Sequence, residues 1–492
     1  MRATLHVIAV ATIIVARICA AQMFAPDIPK AWADKDVTGF EVPLTHPDRS
    51  PRYMTEKEYY AVKVRPIYRS YPVYAEGSEP TGYLDWLKQK EPEVVFDSSK
   101  LKTKEDWIRA GKIVFEAENS FFPATDPPGG RKVPPERRKW IGKDGAIRGF
   151  APGTVYIIRQ KGVLELGSNS CAGCHTRLLP DGTLIEGAQG DEGAGIRQPL
   201  PSGFPEERVR QALNNAWVLF GIPWIQTREE FEKAYLDLKP AEGNLMSTFS
   251  RQGTSMTHPP HIPSLIGIQN RKYLDATGLV RHRSIADLMR YAIINEGLDT
   301  SAHFGEFQPA TEQTRTAFNQ EVGTRFSDEQ LYALGLYVYS LQPPVNSNPV
   351  SDVARAGEKV FQQQGCGGCH TPPYFTNNKL TPAIGFQVSD ELRRTEDILD
   401  VSVRTDPMLT LRTRRGTGFY KVPSLQGVWF RSAFGHTGQA DTLEEWFDPA
   451  RLKADYVPRG YHRGPGPILG HEFGLKLSQV DRRALIAFLK TL

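Results

Sequence analysis

Cys171-Ala-Gly-Cys174-His175 and Cys366-Gly-Gly-Cys369-His370 are the two most informative stretches of the chain. Each places two thiols three positions apart and sets an imidazole beside the second. At this spacing two thiols add to the two vinyl groups of one haem, and the adjacent His reaches the iron from the proximal side. A zinc ribbon and a redox dithiol are the other readings of such a pattern. A zinc site would need the two motifs to meet in space, and each already carries its own His. The spacing therefore predicts two covalently bound c-type haems. Cys171, Cys174, Cys366 and Cys369 would attach them, and His175 and His370 would be metal ligands.

Composition frames this reading. At 492 residues the chain is too long for one compact domain. Apolar residues make up 40% and charged residues 24%, an ordinary globular mixture. A mean hydropathy of -0.40 excludes a polytopic membrane protein. Lys plus Arg number 60 against 56 for Asp plus Glu, with no basic run, so no nucleic acid partner is expected. The 37 prolines and 43 glycines imply long irregular connections.

The fifth cysteine, Cys19, lies in a segment laid out as a secretory signal. Arg2 is followed by the apolar stretch Leu5 to Ala16 and then by small residues at Ala20 and Ala21. The stretch is shorter than the roughly 20 apolar residues that span a bilayer. Residues 1–21 are read as a cleaved signal peptide, so no integral membrane span is expected in the mature chain. A lipid anchor on Cys19 is the alternative, though Arg17 and Ile18 are poor residues to precede it. Both readings put the folded protein in the periplasm or outside the cell, where covalent haem attachment also takes place. After cleavage no cysteine remains for a disulfide or a catalytic thiol.

Internal repetition gives the architecture. Arg109-Ala-Gly-Lys-Ile-Val-Phe115 precedes the first motif, and Arg355-Ala-Gly-Glu-Lys-Val-Phe361 precedes the second. Downstream, Ile262-Pro-Ser-Leu-Ile-Gly267 parallels Val422-Pro-Ser-Leu-Gln-Gly427. Each half closes with a helix that starts at a Ser N-cap, Ser327 and Ser478. The expected fold class is mainly α: two tandem cytochrome c-like domains with long irregular loops and an N-terminal extension. The expected boundaries are an extension at 22–100, a first haem domain at 101–341 with an insertion at 116–170, a linker at 342–350 and a second haem domain at 351–492. The insertion contains the strand-like Thr154-Val-Tyr-Ile-Ile158.

A six-coordinate haem passes electrons, whereas an open distal face binds peroxide or oxygen, so the distal ligands carry the functional question. His471, just before the last helix, is the leading distal ligand for the second haem, with Met408, His436 or no ligand as alternatives. For the first haem, His258 and His261 are within reach as candidates. Glu296 is the candidate acid/base residue for peroxide cleavage. Phe304 and Phe307 are read as core or cover residues, and Trp429 or Tyr420 as aromatic links between the haems.

The run Gly416-Thr-Gly-Phe-Tyr-Lys-Val-Pro-Ser-Leu-Gln-Gly-Val-Trp429, then Phe434-Gly-His-Thr-Gly438 and Thr442-Leu-Glu-Glu445, resembles the bacterial diheme cytochrome c peroxidase and MauG superfamily. With both cysteine motifs, the resemblance covers about Lys100 to Leu492. It implies a peroxidatic N-terminal haem, an electron-transfer C-terminal haem, and a small donor protein, a cytochrome c or a cupredoxin. Calcium is possible at the family level, and His436 matches the family's His near the second haem. Two departures stand out. No Met lies near Ile468, where His471 is the nearest replacement, and Tyr273-Leu-Asp-Ala-Thr277 lacks the family's Trp. In its widely separated motifs the chain is also similar to the rubber-oxygenase branch, which implies dioxygen and an apolar substrate. The expected function is peroxide reduction, with the oxygenase or a non-catalytic electron carrier as alternatives.

Overall fold

The computed structural model describes residues 24–124, 141–147, 154–179, 181–190, 198–243, 256–295, 302–309 and 324–492. The expected signal peptide lies outside them. No helix of the described residues is long and apolar enough to cross a membrane.

Two helix pairs repeat the same construction. Helix Lys104–Glu116 packs on helix Asp328–Ser340, and helix Asp352–Gln363 packs on helix Gln479–Leu489. All four starts are capped: Thr103, Ser327, Ser351 and Ser478 accept a backbone N–H of the first turn. Thr103 with Asp106, and Ser327 with Gln330, form reciprocal capping boxes. At each crossing a glycine lets the backbones touch. A Cβ on Gly111 would lie well inside 3.0 Å of the Ala333 carbonyl oxygen, and one on Gly357 would meet the Ala484 carbonyl in the same way. Aromatic rings close both crossings, Phe115 on Tyr337 at 5.2 Å and Phe361 on Phe488 at 5.3 Å.

The Pro-Ser-Leu repeat also takes the same shape twice. Gly267 (φ 70°) and Gly427 (φ 71°) adopt the left-handed conformation and open the 3-10 turns Ile268–Asn270 and Val428–Phe430.

The expectation of a mainly α fold is not met. Only 34% of the described residues are helical and 14% are extended. Short helices separated by irregular, Pro- and Gly-rich segments lower the first figure. An antiparallel four-stranded sheet contributes to the second, in the order Ser70–Pro72, Val155–Gln160, Val163–Ser168, Ser120–Pro123. Its inner face buries Val73, Tyr156, Ile158 and Leu166 with Leu87. The sheet joins the N-terminal extension to the insertion.

The extension is part of the core. Trp32 is fully buried, stacks on Tyr59 at 5.2 Å and donates its indole N–H to the Met54 carbonyl at 2.9 Å. Residues 41–45 run between the two halves. Val42 N–H donates to Leu279 O at 2.7 Å, Thr45 N–H to Gly416 O at 2.8 Å, and Glu41 pairs with Arg415 at 2.6 Å. Phe430 joins the same cluster as Ile266, Ile268 and Leu334, so the first hydrophobic core includes a residue from the second half.

Gly111→Ala and Gly357→Ala should each destabilise the protein by roughly 1–3 kcal/mol, because backbone must move to admit the methyl group. Alanine's better helix propensity, about 1 kcal/mol, would offset only part of this. Urea denaturation of each variant measures it, and an unchanged or raised midpoint would contradict the close-packed crossings.

Candidate functional site

In the second motif, Gly365 (φ 70°) turns the chain into the 3-10 turn Cys366–Gly368. His370 donates from Nδ1 to the Phe375 carbonyl at 3.2 Å, which leaves the Nε2 lone pair free. A cavity of about 310 Å³ opens beside it, lined among others by Cys366, Cys369, His370, Trp446, His471 and Leu485. His471 faces His370 with ring centroids 6.4 Å apart. Two imidazoles sharing one metal at about 2 Å per bond would have centroids ~6 Å apart. The separation suits two imidazoles that would share one metal.

The position of His471 is imposed by its surroundings. Its backbone is left-handed (φ 44°), a conformation that disfavours a residue with a Cβ. Its N–H donates to Val403 O at 2.7 Å, and its carbonyl accepts from the buried Arg451 at 3.0 Å. Trp446 and Phe473 pack on the ring at 5.6 and 5.3 Å. Nδ1 is buried without a hydrogen-bond partner. Burial pushes the imidazole pKa down to about 4 and lowers that of His370 as well. Both rings stay neutral near pH 7, as metal-ligating imidazole must be.

In the first motif, Ser170 caps the single turn Cys171–Cys174 by accepting from Gly173 N–H at 3.1 Å. His175 donates from Nδ1 to the Pro263 carbonyl at 3.0 Å, and burial lowers its pKa to about 4. Gly190 packs against the Cys174 carbonyl so closely that a Cβ would collide with it. Burial, then the charge of Glu118, pushes the Cys174 thiol up to about 11. None of the four cysteines is in a disulfide.

The residues fit haem. Each motif offers two thiols outside any disulfide and an imidazole whose Nδ1 is engaged by a backbone carbonyl. Among the described residues, no three of His, Cys, Asp and Glu converge as a bare-ion site. Donors that come singly or in facing pairs suit a macrocycle that supplies four equatorial nitrogens itself.

The remaining candidates fall in several places. His436 lines the cavity, but its ring stacks on Tyr420 at 3.6 Å and its Nε2 meets Thr405 Oγ1 at 2.8 Å. His261 lines the cavity too and donates from Nδ1 to His436 O at 3.3 Å. His258 has both ring nitrogens engaged, by Asp406 at 3.2 Å and Thr257 at 2.8 Å. Met408 begins a short helix beside Asp406 and does not line the cavity. Tyr420 lines it, whereas Trp429 packs on Phe430 and the first core. Phe304 and Phe307 exchange backbone hydrogen bonds beneath Trp224, with Arg415 over Phe304 and Arg414 over Phe307. Glu296 lies outside the described residues.

Two kinds of residue escaped the sequence reading. Glu118 is buried next to the first motif, hydrogen-bonded to Ser170, with Oε2 unpartnered. Nothing in its sequence context marks it. Arg271 and Arg431 line the cavity. They were open to discovery, because the Pro-Ser-Leu repeat continues in register to both.

No protein-family profile and no curated protein sequence matches the chain. Among solved structures, hydrazine synthase of Kuenenia stuttgartiensis aligns with a TM-score of 0.28 and 16% identity, over 64% of this chain and 99% of that one. A MauG-like protein associated with microbial copper homeostasis aligns with a TM-score of 0.31 and 15% identity, over 48% and 75%. Neither superposition is close enough to establish a shared fold.

Burial raises the Glu118 pKa from 4.5 to about 8. The native state therefore keeps a proton that the unfolded chain loses above pH 4.5, and stability falls as pH rises from there through 8. Glu118→Gln removes this dependence. The stability of the variant relative to the wild type should grow by roughly a few kcal/mol between pH 4.5 and 8. Denaturation midpoints at pH 4.5 and 8.5 measure it, and a constant gap would contradict a buried, protonated Glu118.

Proposed function

We propose that the chain is a periplasmic or secreted diheme c-type oxidoreductase of peroxidase type. It would reduce hydrogen peroxide at the N-terminal haem held by His175. Electrons would pass through the C-terminal haem, held by His370 and His471, from a small cytochrome c or cupredoxin. Haem at each motif would supply an iron that changes oxidation state by one electron.

The facing pair His370 and His471 carries the reading. Two neutral imidazoles at this separation would both hold one haem iron, which would suit that centre to electron transfer and leave substrate chemistry to the other. Reduction of one peroxide to two waters takes two electrons and two protons, and two one-electron centres match that demand. The backbone carbonyls of Pro263 and Phe375 hold the rings of His175 and His370 in one tautomer, with Nε2 the nitrogen that would take an iron. Glu296 is proposed as the proton donor to the leaving oxygen. The cavity beside the second motif takes its walls from both halves of the chain.

The test is rapid mixing of the half-reduced holoprotein with hydrogen peroxide while the haem absorbance is followed. Fast oxidation, with a rate linear in peroxide and slowed roughly 10²-fold or more by Glu296→Gln, is expected. An inert spectrum would overturn the peroxidase reading. Turnover of an apolar substrate with dioxygen would then favour the oxygenase, and its absence an electron carrier.

A further inference from the structure

We propose that Arg271 and Arg431 form one internal anion site that receives the carboxylate edges of the two haems and thereby raises their reduction potentials. The inference rests on the reading of two haems at the cysteine motifs.

The two arginines occupy the same place in the two copies of the repeat, each eight residues after its Pro (271 − 263 and 431 − 423). Their attachments are also copied. Arg271 donates to the carbonyls of Ser264 at 2.6 Å and Ile266 at 2.8 Å. Arg431 donates to Ser424 O at 2.9 Å and to Gln426 O. These clamps fix each guanidinium plane and use its two terminal nitrogens, but a carbonyl supplies only a partial charge. Nε of Arg431 is buried with no hydrogen-bond partner among the described residues.

Both side chains line the cavity that holds His370 and His471, and the turns that carry them meet where Gln426 approaches Gly267. Among the described residues neither forms an ion pair with a carboxylate. Burial lowers the pKa of Arg271 to about 10, and burial followed by the charge of Arg271 lowers that of Arg431 to about 9. Arg271 also bears on His175, and Arg431 on His261. Two like charges thus bear on one another around internal space, with no carboxylate of the described residues paired to either. A buried cation without a counter-charge is costly, and two of them more so. The economical solution is an anion brought in by the ligand, and each haem carries two carboxylates on one edge. Arg suits that role, because its fork takes carboxylate oxygens in fixed geometry. A fixed positive charge at the carboxylate edge of a haem would disfavour its ferric state and so raise its potential.

The test uses the holoprotein with Arg271 and Arg431 each replaced by Gln and by Lys. Haem is counted first by pyridine haemochrome. Fewer than two covalent haems in the wild type would refute the diheme reading, independently of the arginines. Redox titration follows. Each Gln variant should lower the ferrous-to-ferric ratio at fixed potential at least tenfold, equivalent to 59 mV for one electron. Each Lys variant, which keeps the charge, should stay within about threefold, by the same one-electron relation. Added inorganic phosphate should leave the wild-type potentials unchanged. Unmoved potentials in folded Gln variants would overturn the proposal, as would equal shifts in the Gln and Lys variants, which would mark the arginines as backbone clamps only. A phosphate-dependent wild-type potential would point instead to an exchangeable anion. If the Gln variants fail to fold, resonance Raman of the Lys variants decides. The propionate bending band should shift while the ligation bands stay fixed, and an unmoved propionate band would overturn the proposal.

Discussion

The 6.4 Å between the rings of His370 and His471 is the constraint on which the site depends. One ring comes from a tight turn fixed by Gly365 and the Phe375 carbonyl. The other comes from a loop held in a left-handed conformation. Arg451 stabilises that loop from beneath, donating to the carbonyls of Trp446, Ile468, Gly470 and His471. Such a hub compensates for the backbone strain at His471, since each charge-assisted hydrogen bond contributes about 1.5–3 kcal/mol. His471 thus combines a left-handed backbone with a buried imidazole whose Nδ1 has no partner among the described residues.

The second constraint is how the halves are joined. His261 N–H donates to His436 O at 2.9 Å, and Arg414 reaches back to Gly221 O at 2.9 Å. The N-terminal extension runs between the halves and contributes Val42 to a cluster with Tyr273, Leu380 and Phe419. The cavity beside His370 therefore has walls from both halves, including His261, Arg271 and Gln189 from the first. Its shape depends on packing that spans the whole chain. A change at the junction would act on the site without touching a ligand.

Much of this was legible in the sequence for physical reasons. The cysteine spacing has few other chemical uses, and capped amphipathic repeats reveal helices wherever the hydrophobic period is 3.6. His471 was singled out by its place just before the last helix, and the structure sets its ring opposite His370. The balance of secondary structure was not legible. Strand Ser70–Pro72 pairs with Val155–Gln160 across some eighty residues of sequence, and two- to six-residue strands show little periodicity of their own. The burial of Trp32 was hidden by its polar, Pro-rich surroundings. Glu118 was invisible because burial, not its neighbours in sequence, makes it unusual. Arg271 and Arg431 needed only four more residues of the repeat to be compared on each side.

Electron paramagnetic resonance of the ferric holoprotein, before and after His471→Gly, addresses the proposed ligand pair most directly. Two imidazoles on one iron predict a low-spin signal in the wild type that is lost in the variant and restored by added imidazole. A low-spin signal that survives the substitution unchanged would mean that His471 is not the ligand opposite His370.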